Sequence, residues 1–199
     1  CGAPSSRLLR RGTTRTLERT AMVTLRCTQK LLRRLGASAK NEVSPPTTVL
    51  GDWYATLIPS RPHQLVLCFN ERSLLSVLVP AAPGKFLGAR FSEAALGLIY
   101  RLGIRGRPLE AEAQAMSELR FGPTSNRRVL GCMNEAAFAF SFRVSEDPPP
   151  SLIQVEDWLS RHLYSLTEGS YPREVALKLF GVPHPPRSGQ LIRVTDSAL

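Results

Sequence analysis

The chain lacks the short signatures by which most catalysts can be read. There is no GxSxG, no GxxxxGK[ST], no GxGxxG and no HExxH among its 199 residues. A nucleophile elbow, a P-loop, a dinucleotide fingerprint and a helical zinc pair are therefore all unavailable as explanations. Cysteine is scarce as well. Cys1, Cys27, Cys68 and Cys132 form no CxxC pair and are not grouped with His63, His162 or His184 at zinc-ligand spacing, so no metal and no cofactor is expected. Isolated cysteines of this kind read as reduced, half-buried thiols, which favours a cytoplasmic location. No apolar run approaches the roughly 18–20 residues needed to span a bilayer. The longest, around Leu65–Phe69 and Leu74–Val79, have strand length.

Acidic side chains are missing mainly from one end. Residues 1–40 carry ten Lys/Arg against Glu18 alone, while the other 159 carry 16 basic and 15 acidic side chains. The net charge of +10 thus belongs to the N-terminal fifth, and only that region argues for nucleic acid or another polyanionic partner. Arg26, Lys30, Arg33 and Arg34 lie on or beside one short helix and have neighbour spacing if that helix starts early, although no stacking aromatics are interleaved with them.

Residues 1–21 are rich in Arg, Ser and Thr and poor in large apolar side chains, so they read as a disordered basic leader. Three origins remain open: a start-site extension, a functional basic tail, or a processed end in which Cys1-Gly2 mimics a lipoprotein. Residues 22–183 read as a single α+β domain and 184–199 as a loose tail. A chain of this size can bury roughly 70% of its unfolded surface without disulfide or metal. The expected fold is a small, mostly antiparallel sheet with a central hairpin, packed by about five or six helices.

Val23–Cys27 reads as a strand, and Thr28 as the cap of a helix Gln29–Leu35 closed by Gly36. Thr48–Ile58 reads as a strand bent at Gly51. Gln64–Phe69 and Ser73–Val79 form a hairpin joined by Asn70-Glu71-Arg72, apolar enough that one face of the sheet should lie in the core and the other be covered by helices. Ser92 is expected to cap a helix Glu93–Leu102, and Pro108 to open another over Leu109–Leu119 with Glu110 and Glu112 at its positive end. Gly122-Pro123 is expected to break the chain, and Ser125 or Asn126 to cap a helix reaching about Phe140. Ser151 and Gln154 have capping-box spacing, and Ser170-Tyr171-Pro172 opens a last helix stopped by Gly181.

Three stretches could carry chemistry. On the helix after Asn126, the residues Val129, Leu130, Met133, Ala136 and Ala137 converge on a core face, with Arg127, Gly131 and Asn134 along one edge. Gly131 would leave a gap there for a backbone or small ligand, or would simply let a neighbour pack closely. Asp52, Trp53 and Tyr54 could line a pocket, or fill core and satisfy a backbone donor. Asn70, Glu71 and Arg72 could present a loop tip, or merely suit a hairpin turn. Cys27 at a helix start could have a lowered thiol pKa, although packing explains a lone cysteine as well.

Met22–Leu35, Thr47–Ala55, Leu65–Leu75 and Asn126–Glu135 together resemble a family of uncharacterised bacterial proteins bearing a domain of unknown function. The similarity runs from Met22 to about Phe142, with a looser match through the C-terminal helices. It implies a domain start at Met22 and marks the three stretches, but implies no activity, cofactor or partner. Cys132 stands where the family pattern has a small residue such as Ser, which speaks against a thiol role. Strong patterning without acid–base constellations favours a non-enzymatic binding or accessory module acting on a protein or nucleic-acid partner. The alternative is an enzyme with an unfamiliar polar site built from Asp52, Glu71, Arg127 and Asn134.

Overall fold

The computed structural model describes residues 22–37, 46 and 48–183. The expected leader (1–21) and tail (184–199) lie outside the described residues. Five strands form one sheet in the order β4-β3-β2-β1-β5: β1 Thr24–Cys27, β2 Trp53–Ile58, β3 Leu65–Asn70, β4 Ser76–Pro80 and β5 Arg120–Pro123. The α+β class and the central hairpin are those expected from the sequence. The sheet is mixed where a mostly antiparallel one was expected. β3 pairs antiparallel with β2 and β4, but β1 pairs parallel with both β2 and β5. The physical reason lies in the crossovers. Helix α1 (Gln29–Leu35) returns the chain from β1 to β2, and helices α2 (Leu87–Arg101) and α3 (Arg107–Ser117) carry it from β4 to the far edge at β5.

Alternation along the strands divides the core in two. Trp53, Ala55, Val66, Cys68 and Val77 face α1, α2, α3 and α6 (Pro172–Leu179), whereas Tyr54, Ile58, Leu67, Phe69 and Leu78 face α4 (Arg127–Arg143) and α5 (Leu152–Leu159). Both faces are covered, which is why all six residues of β3 are buried.

Several local expectations fail. Thr28 precedes α1 without capping it, its hydroxyl lying instead 3.4 Å from Thr56 Oγ1, and the strand expected over Thr48–Ile58 is β2 only from Trp53 on. Ser92 is not a cap: α2 begins at Leu87, because Leu87 and Phe91 continue the buried stripe of Ala95, Leu98 and Ile99 upstream. Gly122-Pro123 does not break the chain but ends β5, an edge strand where the missing proline N–H leaves no gap in the ladder. A Cβ on Gly122 would stand 3.0 Å from Thr24 Cγ2, so close strand approach explains the glycine. Gly36 closes α1 with φ +62°, and Ser151 and Gln154 form the capping box of α5.

At the free edge of β4, the Leu78 N–H points away from β3 and donates to Glu156 Oε1 at 2.9 Å. Arg101 Nη2 holds the other oxygen of Glu156 at 2.6 Å, so the edge is plugged by a buried carboxylate of α5 tied to α2.

Candidate functional site

Two of the three stretches meet at one end of the sheet. The loop 48–52 enters β2 with Gly51 at φ +75°, and a Cβ there would lie 2.7 Å from Glu71 Oε1. The turn after β3 wraps this loop. Asn70, fully buried, accepts at Oδ1 from the Arg72 and Ser73 N–H groups and from Ser73 Oγ, and donates through Nδ2 to the Leu50 and Asp52 carbonyls. Glu71 Oε1 accepts the Asp52 N–H at 3.0 Å, and Arg72 Nη1 donates to the carbonyls of Thr48 and Val49. The same turn holds Leu74 at φ +61°, a left-handed conformation that a non-glycine residue adopts at a cost, anchored by burial of its side chain.

Asp52 completes the cluster. Oδ1 accepts the Thr24 N–H at 3.0 Å, and Oδ2 meets both Nε and Nη2 of Arg26 at 2.8 and 2.7 Å. A further carboxylate, Glu112 of α3, reaches in from the other side and accepts the Leu50 N–H at 3.2 Å. Burial raises the Glu112 pKa above its ordinary value, against the opposing pull of the backbone bonds from Leu50 and Val49, of Thr48 and of the Arg72 charge. Trp53 is fully buried, edge-on to Phe91 at 5.4 Å. Apart from the buried Trp53 Nε1 and Glu112 Oε2, which have no hydrogen-bond partner among the described residues, the polar groups named here are engaged by the protein itself, and the cluster ties together four segments far apart in sequence.

The third stretch lies elsewhere. Asn126 caps α4, accepting from the Arg128 and Val129 N–H groups, and its own N–H donates to the Tyr54 hydroxyl at 3.1 Å. Tyr54 also lies 3.2 Å from Ser125 Oγ, so this buried tyrosine positions the start of α4. Arg127, Gly131 and Asn134 are exposed, and the Arg127 and Asn134 side chains have no partner among the described residues. The expected gap at Gly131 faces open space, with nothing within 4 Å of a Cβ. Nor do Asp52, Glu71, Arg127 and Asn134 converge. Asp52 precedes β2 and is level with Thr24, whereas Arg127 follows β5, whose last residue is level with Cys27, so the two leave the sheet at opposite ends.

Sequence reasoning missed two residues on the same helix. Phe138 and Phe142 are 66% and 63% exposed and stack edge-to-face at 4.8 Å. Their signal was present: both fall opposite the stripe of Val129, Met133, Ala136 and Phe140. Phe142 was lost because the helix was read as ending near Phe140. Beside them Glu135 meets His162 Nε2 at 3.2 Å, and Trp158 packs on the same imidazole.

Burial pushes the Cys27 thiol up to about 12, overriding any lowering by the start of α1. Two hollows of about 540 and 530 Å³ share Pro62 and Gln64, and none of the candidate residues lines either. Among the described residues no group of His, Cys, Asp and Glu comes together as metal ligands, and no helix is long and apolar enough to cross a membrane. The model of a family described as a domain of unknown function (DUF6933) matches residues 24–175. No curated protein matches the chain.

Proposed function

The chain belongs to the family of that domain of unknown function, DUF6933, and from this premise we propose that it is a non-enzymatic binding module whose contact surface is the outer face of α4. The observation that carries this reading is the pairing of a costly glycine with exposed aromatics. Gly131 in mid-helix costs up to ~1 kcal/mol relative to alanine, and no internal contact accounts for it. Two and three turns further along, Phe138 and Phe142 hold two large rings in water, as surfaces that meet proteins do. The polar cluster around Asp52 and Asn70, by contrast, spends its hydrogen bonds on the fold. Buried free thiols at Cys27, Cys68 and Cys132 fit the bacterial, reducing cytoplasm we assign as its setting.

Photo-crosslinking in the host tests the assignment. A photoreactive side chain at Phe138 should give protein adducts, and the same group at Lys178 on α6 should not. Equal yields at both positions would remove the face from consideration. A second reading rests on Lys30, Arg33 and Arg34, which are exposed on α1. If the basic N-terminal region binds nucleic acid, affinity for DNA or RNA falls steeply with salt and drops when residues 1–21 are removed. Salt-independent or absent binding ends that reading.

A further inference from the structure

We propose that the hollow between the end of α1 and the prolines beside β3 and β4 is a binding site for a small organic carboxylate with an apolar body. At about 530 Å³ it has the size usual for small-ligand pockets. It is a site apart from the outer face of α4 and does not depend on that reading.

Three segments enclose the hollow. Pro80 ends β4 with Ala82 and Pro83 just after it, Pro62 and Gln64 lead into β3, and Arg34 comes from the last turn of α1. Each wall is held by a contact of its own. The Ala81 N–H donates to the Gln64 carbonyl at 2.9 Å, which carries the β3–β4 ladder one residue beyond both strands. Arg90 of α2 donates through Nη1 to the Ala82 carbonyl at 2.6 Å and through Nη2 to the Pro83 carbonyl at 2.7 Å. A Cβ on Gly84 would stand 3.2 Å from Leu35 Cδ2, so the turn after Pro83 presses on the residue next to Arg34. Pro62, Pro80 and Pro83 have fixed φ and no N–H, which makes the floor stiff, apolar and poor in donors. The lining residues are exposed or half-buried, so a ligand can enter without opening the fold.

The groups left unpaired decide the ligand. Arg34, His63 and Gln64 also line the hollow, and their side chains have no hydrogen-bond or ion-pair partner among the described residues. All three carry N–H donors. No carboxylate belongs to the lining. Residues 22–37, 53–70 and 72–92, from which the lining is drawn, contain no Asp or Glu, yet they carry Lys30, Arg33, Arg34, Arg61, Lys85 and Arg90. Arg90 also covers the two carbonyls of the turn after β4, whose negative ends would otherwise oppose an anion. A cationic rim over an apolar floor suits a ligand with one negative end and a carbon body. The planar fork of Arg34 matches a carboxylate through two parallel bonds, and the proline floor favours carbon over the all-oxygen surface of inorganic phosphate.

Titration of the purified full chain with 2-naphthoate tests the site. Binding should saturate with a Kd of about 1 mM or below, and the side-chain nuclear magnetic resonance signals of His63 and Gln64 should shift with the same midpoint. 2-Naphthylmethanol keeps the rings and loses the charge, and inorganic phosphate keeps charge and loses the rings. Each should bind at least tenfold more weakly than naphthoate. R34Q should weaken naphthoate tenfold or more. R33Q removes the same charge from the same turn of α1, outside the hollow, and should weaken it less than threefold. Both arginines are exposed, so far-ultraviolet circular dichroism should stay unchanged in either variant. Should R34Q not fold, H63A takes its place and should weaken naphthoate at least threefold. The proposal is overturned by any of four results: no saturable binding, alcohol or phosphate binding as tightly as naphthoate, equal effects of R34Q and R33Q, or shifts confined to residues outside the hollow.

Discussion

At the scale of the residue, Asn70 shows what the buried polar cluster is for. Its amide serves the turn on one side and the loop before β2 on the other, so its removal orphans the Arg72 and Ser73 N–H groups and the Leu50 carbonyl together. Each buried group left unpaired costs about 1–3 kcal/mol, so N70A should lose about 3 kcal/mol or more in urea unfolding. A loss below about 1 kcal/mol would mean that water replaces the amide and that the cluster is less closed than its geometry states. Glu112 carries the opposite sign. Burial raises its pKa above 4.5, so the folded chain binds that proton more tightly than the unfolded chain does. Its contribution is therefore most favourable at low pH and is lost as pH rises through the raised value. E112Q cannot titrate, and the urea midpoint of the wild type should fall relative to that of E112Q between about pH 4.5 and neutrality. Parallel curves would count against the shift. The sequence marked Asp52, Asn70, Glu71 and Arg72 as polar residues in suspicious places. It placed Glu112 only at a helix start, because its true contact is with Leu50, 62 residues away, and no local pattern encodes that.

At the scale of the element, legibility follows the range of the forces that shape each segment. The start of α5 was readable because Ser151 and Gln154 bond each other's backbone within four residues. The end of α1 was readable because Gly36 alone suits its left-handed turn. The start of α2 and the existence of β5 were not. Leu87 and Phe91 join a helix because the sheet is there to bury them, and Arg120–Pro123 is a strand only because β1 offers an edge. Helix α4 lies between these cases: its cap and inner face were legible, while the exposed rings of its outer face, Phe138 and Phe142, were passed over. Gly131 allows that face to be weighed by stability. With open space around its Cβ position, G131A should raise unfolding stability by about 0.5–1 kcal/mol, read as a shift of the urea midpoint. A destabilised G131A would show that something within the chain already needs the glycine, and the outer face would lose its main argument.

At the scale of the whole molecule, two helical layers sandwich a sheet whose outermost strand, β4, needs a guard. A free edge with unpaired N–H groups is a template for another strand. Here α5 of one layer supplies Glu156 to the Leu78 N–H, and Arg101 of α2, in the other layer, holds that carboxylate in place. The clasp thus ties the two layers together around the edge they share. Its two bonds differ in exposure. The Leu78 donor is buried, whereas the Arg101 side chain is 37% exposed and can return to water. The acceptor should therefore matter more than the charge. E156Q keeps an oxygen for Leu78 and loses the ion pair, at about 1 kcal/mol or less, because burial already raises the pKa of this glutamate and penalises its ionised form. E156A leaves the Leu78 N–H without a partner and opens the edge, at about 2–3 kcal/mol, with light scattering that grows with protein concentration as exposed edges pair. Equal losses in the two variants would mean that the charge, rather than the plugged edge, is what Glu156 contributes, and the two layers would then be joined by the sheet core alone.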